Sequence, residues 1–345
     1  MPLLAVDVGA GTQDILLYRE DVPLEGSTKM VLPSPTLLIA GRIDRASLQS
    51  LDVFLEGPTM GGGSSTAAVM RHLKAGLKVY ATPSAAATIN DNLDRVAQMG
   101  VTIQEEPPAG AERIYTGDID IPVLEEAFGL FDLDLPEDIA IAVQDHGFSP
   151  DRSNRLVRFE HLTEAIRAGG RIENFAFREP PKTMTRMLAV KEYLEPHGHK
   201  SILMDTGPAA LFGAAMDPCF VDPGLIMNFG NGHTVAAILS EGRITALFEH
   251  HTSSLDPQKL RHFVSGLCDG TLNNSDIFDD GGHGAFIECV PGRLRSTLAT
   301  GPRRDLFLQS GALKGAVAAA PAGDMMITGC IGLMEAWSRK DVLWR

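Results

Sequence analysis

The chain has 345 residues, 44% of them hydrophobic, which suits one large domain or two of ordinary size and excludes global disorder. A formal charge of −14 disfavours nucleic acid and anionic membrane as partners, so an anionic ligand would need local attraction from backbone amides, a helix N-terminus or Mg²⁺. No basic-then-apolar leader and no run of about 18 apolar residues is present, and the four cysteines are widely spaced. Buried free thiols in a reducing cytoplasm are therefore expected, and the sequence is silent on oligomeric state.

In chain order, "LLAVDV" (3–8) and "DILLY" (14–18) read as a hairpin around two glycines. "DVFLEG" (52–57) predicts a buried strand, followed by the loop "GPTMGGGSS" and the helical pattern "TAAVMRHLKAG" (66–76). "KVYAT" (78–82) and "VTIQ" (101–104) predict strands, with one helix between them over 83–100. The segment 105–122 carries enough Pro, Gly and charge to be a surface connection. "DIAIAVQDHG" (138–147) predicts a strand that ends on Asp145 and His146. Helices are expected over 159–168 and 182–195, then the strand "SILMD" (201–205) and the helix "PAALFGAAM" (208–216). The Pro- and Asp-rich "DPCFVDPG" (217–224) marks a domain boundary, giving domains 1–222 and 223–345 with insertions at roughly 80–180. The alternation predicts an α/β protein with mixed sheets flanked by helices.

A repeat runs through this order. With Asn228 of "LIMNFGNGHTVAAIL" (225–239) set under Asp7, Gly230 and Gly232 fall under Gly9 and Gly11. A second echo pairs "LMDTGPAALFGA" (203–214) with "MMITGCIGLMEA" (325–336), Thr206-Gly207 matching Thr328-Gly329. Two glycine hairpins facing across a cleft suit a polyphosphate, because glycine admits close approach and positive φ and turn amides donate to phosphate oxygens. Gly9, Ala10, Gly11 and Thr12 form one candidate turn; Gly230, Asn231, Gly232, His233 and Thr234 form the other. Thr12, His233 and Thr234 offer side-chain donors. Asp7, at a strand end, is placed to hold Mg²⁺ through water.

"VDVGAGTQDILL" resembles the phosphate-binding hairpin of the actin-like ATPase superfamily, which includes sugar kinases, actin and heat-shock chaperone ATPases. "FGNGHT" resembles the second phosphate hairpin, "DTGPAALFGAA" the helix crossing between domains, and "MMITGCIGLMEA" the adenosine-contacting strand-turn-helix. The resemblance implies two duplicated ribonuclease-H-like domains closing on ATP and Mg²⁺. It implies phosphate contacts from both hairpins and adenosine contacts at Thr328 and Gly329. Asn228 stands where the second hairpin usually carries an acid, and the last crossing helix is expected to be short or missing. More narrowly, the chain resembles a family labelled as pyruvate formate-lyase activating enzyme. Such radical activators use a C-x-x-x-C-x-x-C iron–sulfur loop, and no cysteine here has that spacing.

The reading that follows is a Mg-ATP-dependent phosphotransferase or ATPase acting on an unknown small-molecule or protein substrate. A nucleotide-regulated switch with little turnover, acting on a partner protein, is the alternative. Asp145 and Asp205 are candidate catalytic bases, with structural capping as the competing role. The loop 56–66 is either a substrate-phosphate site or a plain connection; it lacks the Lys-Ser/Thr of a P-loop. "HGH" (197–199), "EHH" (249–251) and "DDGGHG" (279–284) leave a metal-dependent hydrolase as a further alternative.

Overall fold

The computed structural model describes residues 2–339. The first half opens with β1 (Leu3–Val8), β2 (Thr12–Tyr18) and β3 (Thr28–Pro33). An inserted unit follows: α1 (Pro35–Leu48), β4 (Val53–Glu56), α2 (Ser64–Lys74), β5 (Val79–Ala81), α3 (Pro83–Ala87), α4 (Leu93–Gln98), β6 (Val101–Ile103) and β7 (Glu112–Tyr115). The half then resumes with α5 (Ile121–Gly129), β8 (Asp138–Val143), α6 (Asn154–Arg167), β9 (Ala176–Phe177), α7 (Thr185–Leu194), β10 (Lys200–Met204) and α8 (Thr206–Ala214). The second half contains β11 (Gly224–Phe229), β12 (His233–Ser240), β13 (Arg243–His251), α9 (Pro257–Asp269), α10 (Asn274–Phe278) and β14 (Gly284–Ile287). It ends with β15 (Ser296–Thr300), α11 (Arg304–Leu308), β16 (Val317–Ala318) and α12 (Thr328–Ser338).

The duplication is a property of the fold. The first sheet has the order β3-β2-β1-β8-β10-β9, and the second β14-β13-β12-β11-β15-β16. Removing one edge strand from each leaves the same five-stranded ladder, antiparallel through its first three strands and parallel through the rest. This is the ribonuclease-H-like topology, present twice, as in the actin-like ATPase fold. Burial explains the apolar runs: β1 is covered on both faces and reads "LLAVDV" without alternation.

The two sheets share a middle layer. α8 is buried all round, as its sequence "GPAALFGA" requires. It packs on β11 and β15 of the second sheet, while α12 packs on β1, β2 and β8 of the first. Each half therefore sends a helix to the other, and the two helices cross at close range. A Cβ on Gly213 would sit 1.8 Å from the Thr328 carbonyl oxygen, and one on Gly332 would sit 1.9 Å from that of Ala209. The expectation of a short or missing last crossing helix is corrected: α12 is that helix, and its likeness to α8 reflects equivalent positions in the two halves. One apolar cluster runs through both sheets and includes Ala5, Leu211, Ile226, Leu298 and Leu333.

Other expectations shift for local reasons. The insertion lies over Pro35–Tyr115, not 80–180, and has its own parallel sheet in the order β6-β5-β4-β7. The expected connection at 105–122 contains β7, which pairs with β4 and buries Ile114. The single helix expected over 83–100 is two, because Asn92 turns its side chain to cap α4 at Arg95 N, 3.1 Å away. Among the cysteines only Cys330 is buried; Cys219 and Cys289 are exposed. Among the described residues no helix is long and apolar enough to cross a membrane.

Gly332→Ala is expected to cost about 3 kcal/mol, since the clash is with backbone and both helices must move. Gly41→Ala, mid-helix with its nearest neighbour at 3.7 Å, is expected to stabilise by about 0.5–1 kcal/mol. Urea unfolding midpoints check both, and an unchanged Gly332→Ala midpoint would show that the crossing is not tight.

Candidate functional site

The two hairpin turns share their backbone hydrogen bonds and differ by one residue in the carbonyl that takes the bracing hydroxyl. The Gly9 amide donates to the Thr12 carbonyl, and the Gly230 amide to the His233 carbonyl, both at 2.9 Å. Ser34, after β3, donates its amide to Gly11 O and its hydroxyl to Ala10 O. Thr252, after β13, donates its amide to Gly232 O and its hydroxyl to Gly230 O. None of the four turn glycines adopts positive φ, which corrects the expectation that their conformation demands glycine. Space demands it at Gly230, where a Cβ would lie 2.8 Å from the backbone oxygen of His233; one on Gly11 would displace Asn231 Nδ2, 2.4 Å away, whereas Gly232 has nothing nearer than 3.9 Å. The hairpin tips meet, and beneath them is a cavity of about 370 Å³ between the halves.

Asp7, Gly9, Ala10, Thr12, Asn228, Gly230, Asn231, Gly232, His233, Thr328 and Gly329 all line this cavity. Thr234 does not: it is fully buried and its hydroxyl pairs with that of Thr252 at 3.0 Å. The turn Gly301-Pro302 after β15, which sequence reasoning did not single out, lines the cavity as well.

Asp7 and Asp14 face each other across β1 and β2. Both leave Oδ1 buried without a hydrogen-bond partner. Burial pushes the Asp7 carboxyl well up, and Asp14 and Asp205 push it further. Burial raises Asp14 to about 7, against the lowering effect of the Thr12 hydroxyl. Gly329 makes this packing possible, since a Cβ there would lie 1.9 Å from Asp7 Oδ2.

Beside this pair is a buried ionic knot. Arg158, on α6 and only 2% exposed, donates to both oxygens of Asp205 at 2.5 and 2.9 Å and to Glu249 Oε2 at 2.8 Å. It also donates to the Asp145 carbonyl at 3.0 Å. Burial alone would raise Glu249, yet Arg158 and the neighbouring histidines bring it down to about 2. Asp205 caps α8 at Gly207 N, and the Asp145 carboxylate accepts from the amides of Gly147 and Met187. Both candidate bases are thus held in structural hydrogen bonds, which favours the capping role for each.

Three imidazoles converge next to the knot: His146 after β8, His233 at the start of β12, and His283 before β14. Burial drives all three pKa values down, well below normal for His146, to about 4 for His233 and about 3 for His283. His197 and His199 lie elsewhere and bond backbone carbonyls of Tyr193 and Pro136. His250 pairs with Asp280 at 3.1 Å. On the opposite wall, Gly61–Gly63 line the cavity in a fixed turn: the Gly61 amide donates to Asp118, which also takes a bidentate pair from Arg186.

The chain belongs to the family described as "Putative pyruvate format-lyase activating enzyme (DUF1786)", which matches residues 60–306. No curated protein matches it. Solved structures similar to it include the ethanolamine utilization protein EutJ from Carboxydothermus hydrogenoformans, at 10% identity and TM-score 0.36, covering 96% of this chain and 89% of that one. MreB5 of Spiroplasma citri bound to ADP is similar at 10% identity and TM-score 0.38, covering 99% and 98%. The activator of the 2-hydroxyisocaproyl-CoA dehydratase from Clostridium difficile with bound ADPNP is similar at 8% and 0.37, covering 99% and 98%. The cysteines do not fit an iron–sulfur loop: Cys330 is sealed on α12, its Sγ 3.1 Å from Asp14 O, and among the described residues no cysteine joins a cluster of three metal-ligating groups.

Arg158→Met leaves two buried carboxylates unpaired and is expected to cost about 3–5 kcal/mol. Adding Asp205→Asn and Glu249→Gln is expected to recover part of that loss. Chemical denaturation checks both, and a loss below about 1 kcal/mol in the single variant would refute the knot's role.

Proposed function

We propose that the cleft binds Mg-ATP and that the protein is an ATP-dependent phosphotransferase or ATPase. The observation that carries this reading is the pair of hydrogen-bond-matched glycine hairpins converging on one cavity. Gly9–Thr12 and Gly230–His233 hold the phosphates through turn amides and the Thr12 and His233 side chains. Thr328-Gly329 and Gly301-Pro302 border the nucleoside. The orphaned carboxylate oxygens of Asp7 and Asp14 fit a hard divalent cation, and Asp7 is its ligand, through water. Bound Mg²⁺ supplies charge stabilisation as the phosphoryl group transfers. The substrate enters from the inserted unit, whose Gly61–Gly63 turn, Thr88 and Asp91 line the opposite wall. The four unpaired cysteines suit a reducing cytoplasm.

Calorimetry with ATP and ADP, with and without Mg²⁺, tests this. Micromolar binding that tightens with Mg²⁺ is expected, and Asp7→Asn is expected to weaken Mg-ATP binding about tenfold or more, near 1.4 kcal/mol. The same variant should keep or raise the metal-free thermal midpoint, because burial penalises the carboxylate it removes. Absence of nucleotide binding, or Mg²⁺ dependence that persists in Asp7→Asn, defeats the reading. Phosphate release under saturating Mg-ATP then separates an enzyme from a switch.

A further inference from the structure

We propose that His146, His233 and His283 form a site for a divalent first-row transition-metal ion, and that the ion clasps the two halves together. One ligand nitrogen from each lies within 4.8 Å of the others, and among the described residues no other three His, Cys, Asp or Glu side chains converge this way. The rings meet at interplanar angles of 41° to 63°, an edge-on convergence and not a stack. A buried core histidine ordinarily gives its N–H to an acceptor. His283 is 1% exposed with neither ring nitrogen paired, and His233 Nε2 is unpaired as well. One ion would take one nitrogen from each ring, and so satisfy one unpaired nitrogen of His233 and one of His283.

The surroundings agree. Asp7, Asp14 and Asp145 line the same cavity, while Arg158 and Arg186 are held by Asp205, Glu249 and Asp118, so oxygen donors with no arginine of their own stand near the imidazoles. Glu249 Oε2 lies 4.0 Å from His283 Nδ1, placed as the carboxylate that orients a ligating imidazole through its other nitrogen. Imidazole nitrogen selects zinc, iron, nickel or copper, whereas Mg²⁺ takes oxygen, so this ion differs from the one placed at Asp7.

The geometry also assigns a consequence. Tetrahedral nitrogens at about 2.0–2.1 Å from zinc stand about 3.4 Å apart, so ligation shortens the nitrogen separations, which are within 4.8 Å, by at most about 1.4 Å. His146 belongs to the first half and the other two to the second, so that movement tightens the halves against each other. Three protein ligands leave a fourth position for water or an anionic oxygen in the cavity. The proposal does not depend on the nucleotide reading.

The test uses chelator-treated full-length protein without nucleotide, titrated with cobalt(II) and with zinc. Absorption spectra report the cobalt environment, and equilibrium dialysis with elemental analysis gives the stoichiometry. One equivalent is expected, with nitrogen-ligand cobalt bands and a raised thermal midpoint. His146→Gln and His283→Asn should each weaken binding at least about a hundredfold. The double variant His197→Gln/His199→Gln should bind as the wild type does. Circular dichroism confirms folding, and His146→Gln, partly exposed, decides the matter where His283→Asn does not fold. Wild-type uptake no greater than that of His146→Gln, or binding that follows His197 and His199, overturns the site. One bound equivalent with no rise in the thermal midpoint overturns the clasp.

Discussion

A guanidinium with almost no contact with water has to be matched on every side, and Arg158 is the group around which this molecule is arranged. Its neutralising partners come from different elements: Asp205 caps α8, and Glu249 lies on β13 of the other half. Its bond to the Asp145 carbonyl fixes the end of β8, from which His146 projects toward the second half. Removing Arg158 leaves two buried carboxylates without their cation, so the knot ties the two halves to one another through this side chain. The helix crossing supplies the complementary restraint, because carbonyls at 1.8 and 1.9 Å from the missing Cβ positions admit only glycine.

The duplication makes its own departures informative. The turns share hydrogen bonds, yet the residues beneath them have diverged in chemistry. Asp7 and Asp14 pair across the first hairpin, while the equivalent cross-strand pair in the second is Asn228 and Val235. Thr12 is matched by His233, at the first residue of each second strand. At these equivalent positions the first hairpin presents carboxylate oxygens and the second an imidazole. Two copies of one scaffold have become the two unlike walls of a single cleft.

Much of this was legible in the chain. Central strands buried on both faces are continuous apolar runs, and the tight turns between them carry glycine, so both hairpins and the doubled order could be read directly. What escaped depends on contacts distant in sequence. "MMITGCIGLMEA" shows its likeness to α8, but which sheet it packs against is decided by residues over 300 positions away, such as Ala5. Arg158, within "RLVRFEHL", reads as an ordinary charge on a helix surface; its flanking residues Val157 and Phe159 are buried, and that was the available signal. His146, His233 and His283 stand in three separate motifs, and only the fold brings them together. Short elements failed locally, as where Asn92 caps α4 and divides an expected helix.

Unsatisfied groups are concentrated at the cleft. Asp7 and Asp14 hold orphaned oxygens on one wall, and His233 and His283 hold orphaned nitrogens on the other. A protein interior retains such groups at a cost, because each unpaired polar atom forfeits the hydrogen bonds it made to water. The two sets differ in hardness: carboxylate oxygen favours Mg²⁺, while imidazole favours a borderline metal. Cations entering this cleft would therefore sort by ligand chemistry, not by competition for one position. An anionic oxygen between them would meet positive charge from both walls, together with the amides of two turns. In the protein alone each wall keeps its unpaired atoms, which a ligand of matching charge would satisfy on both sides at once.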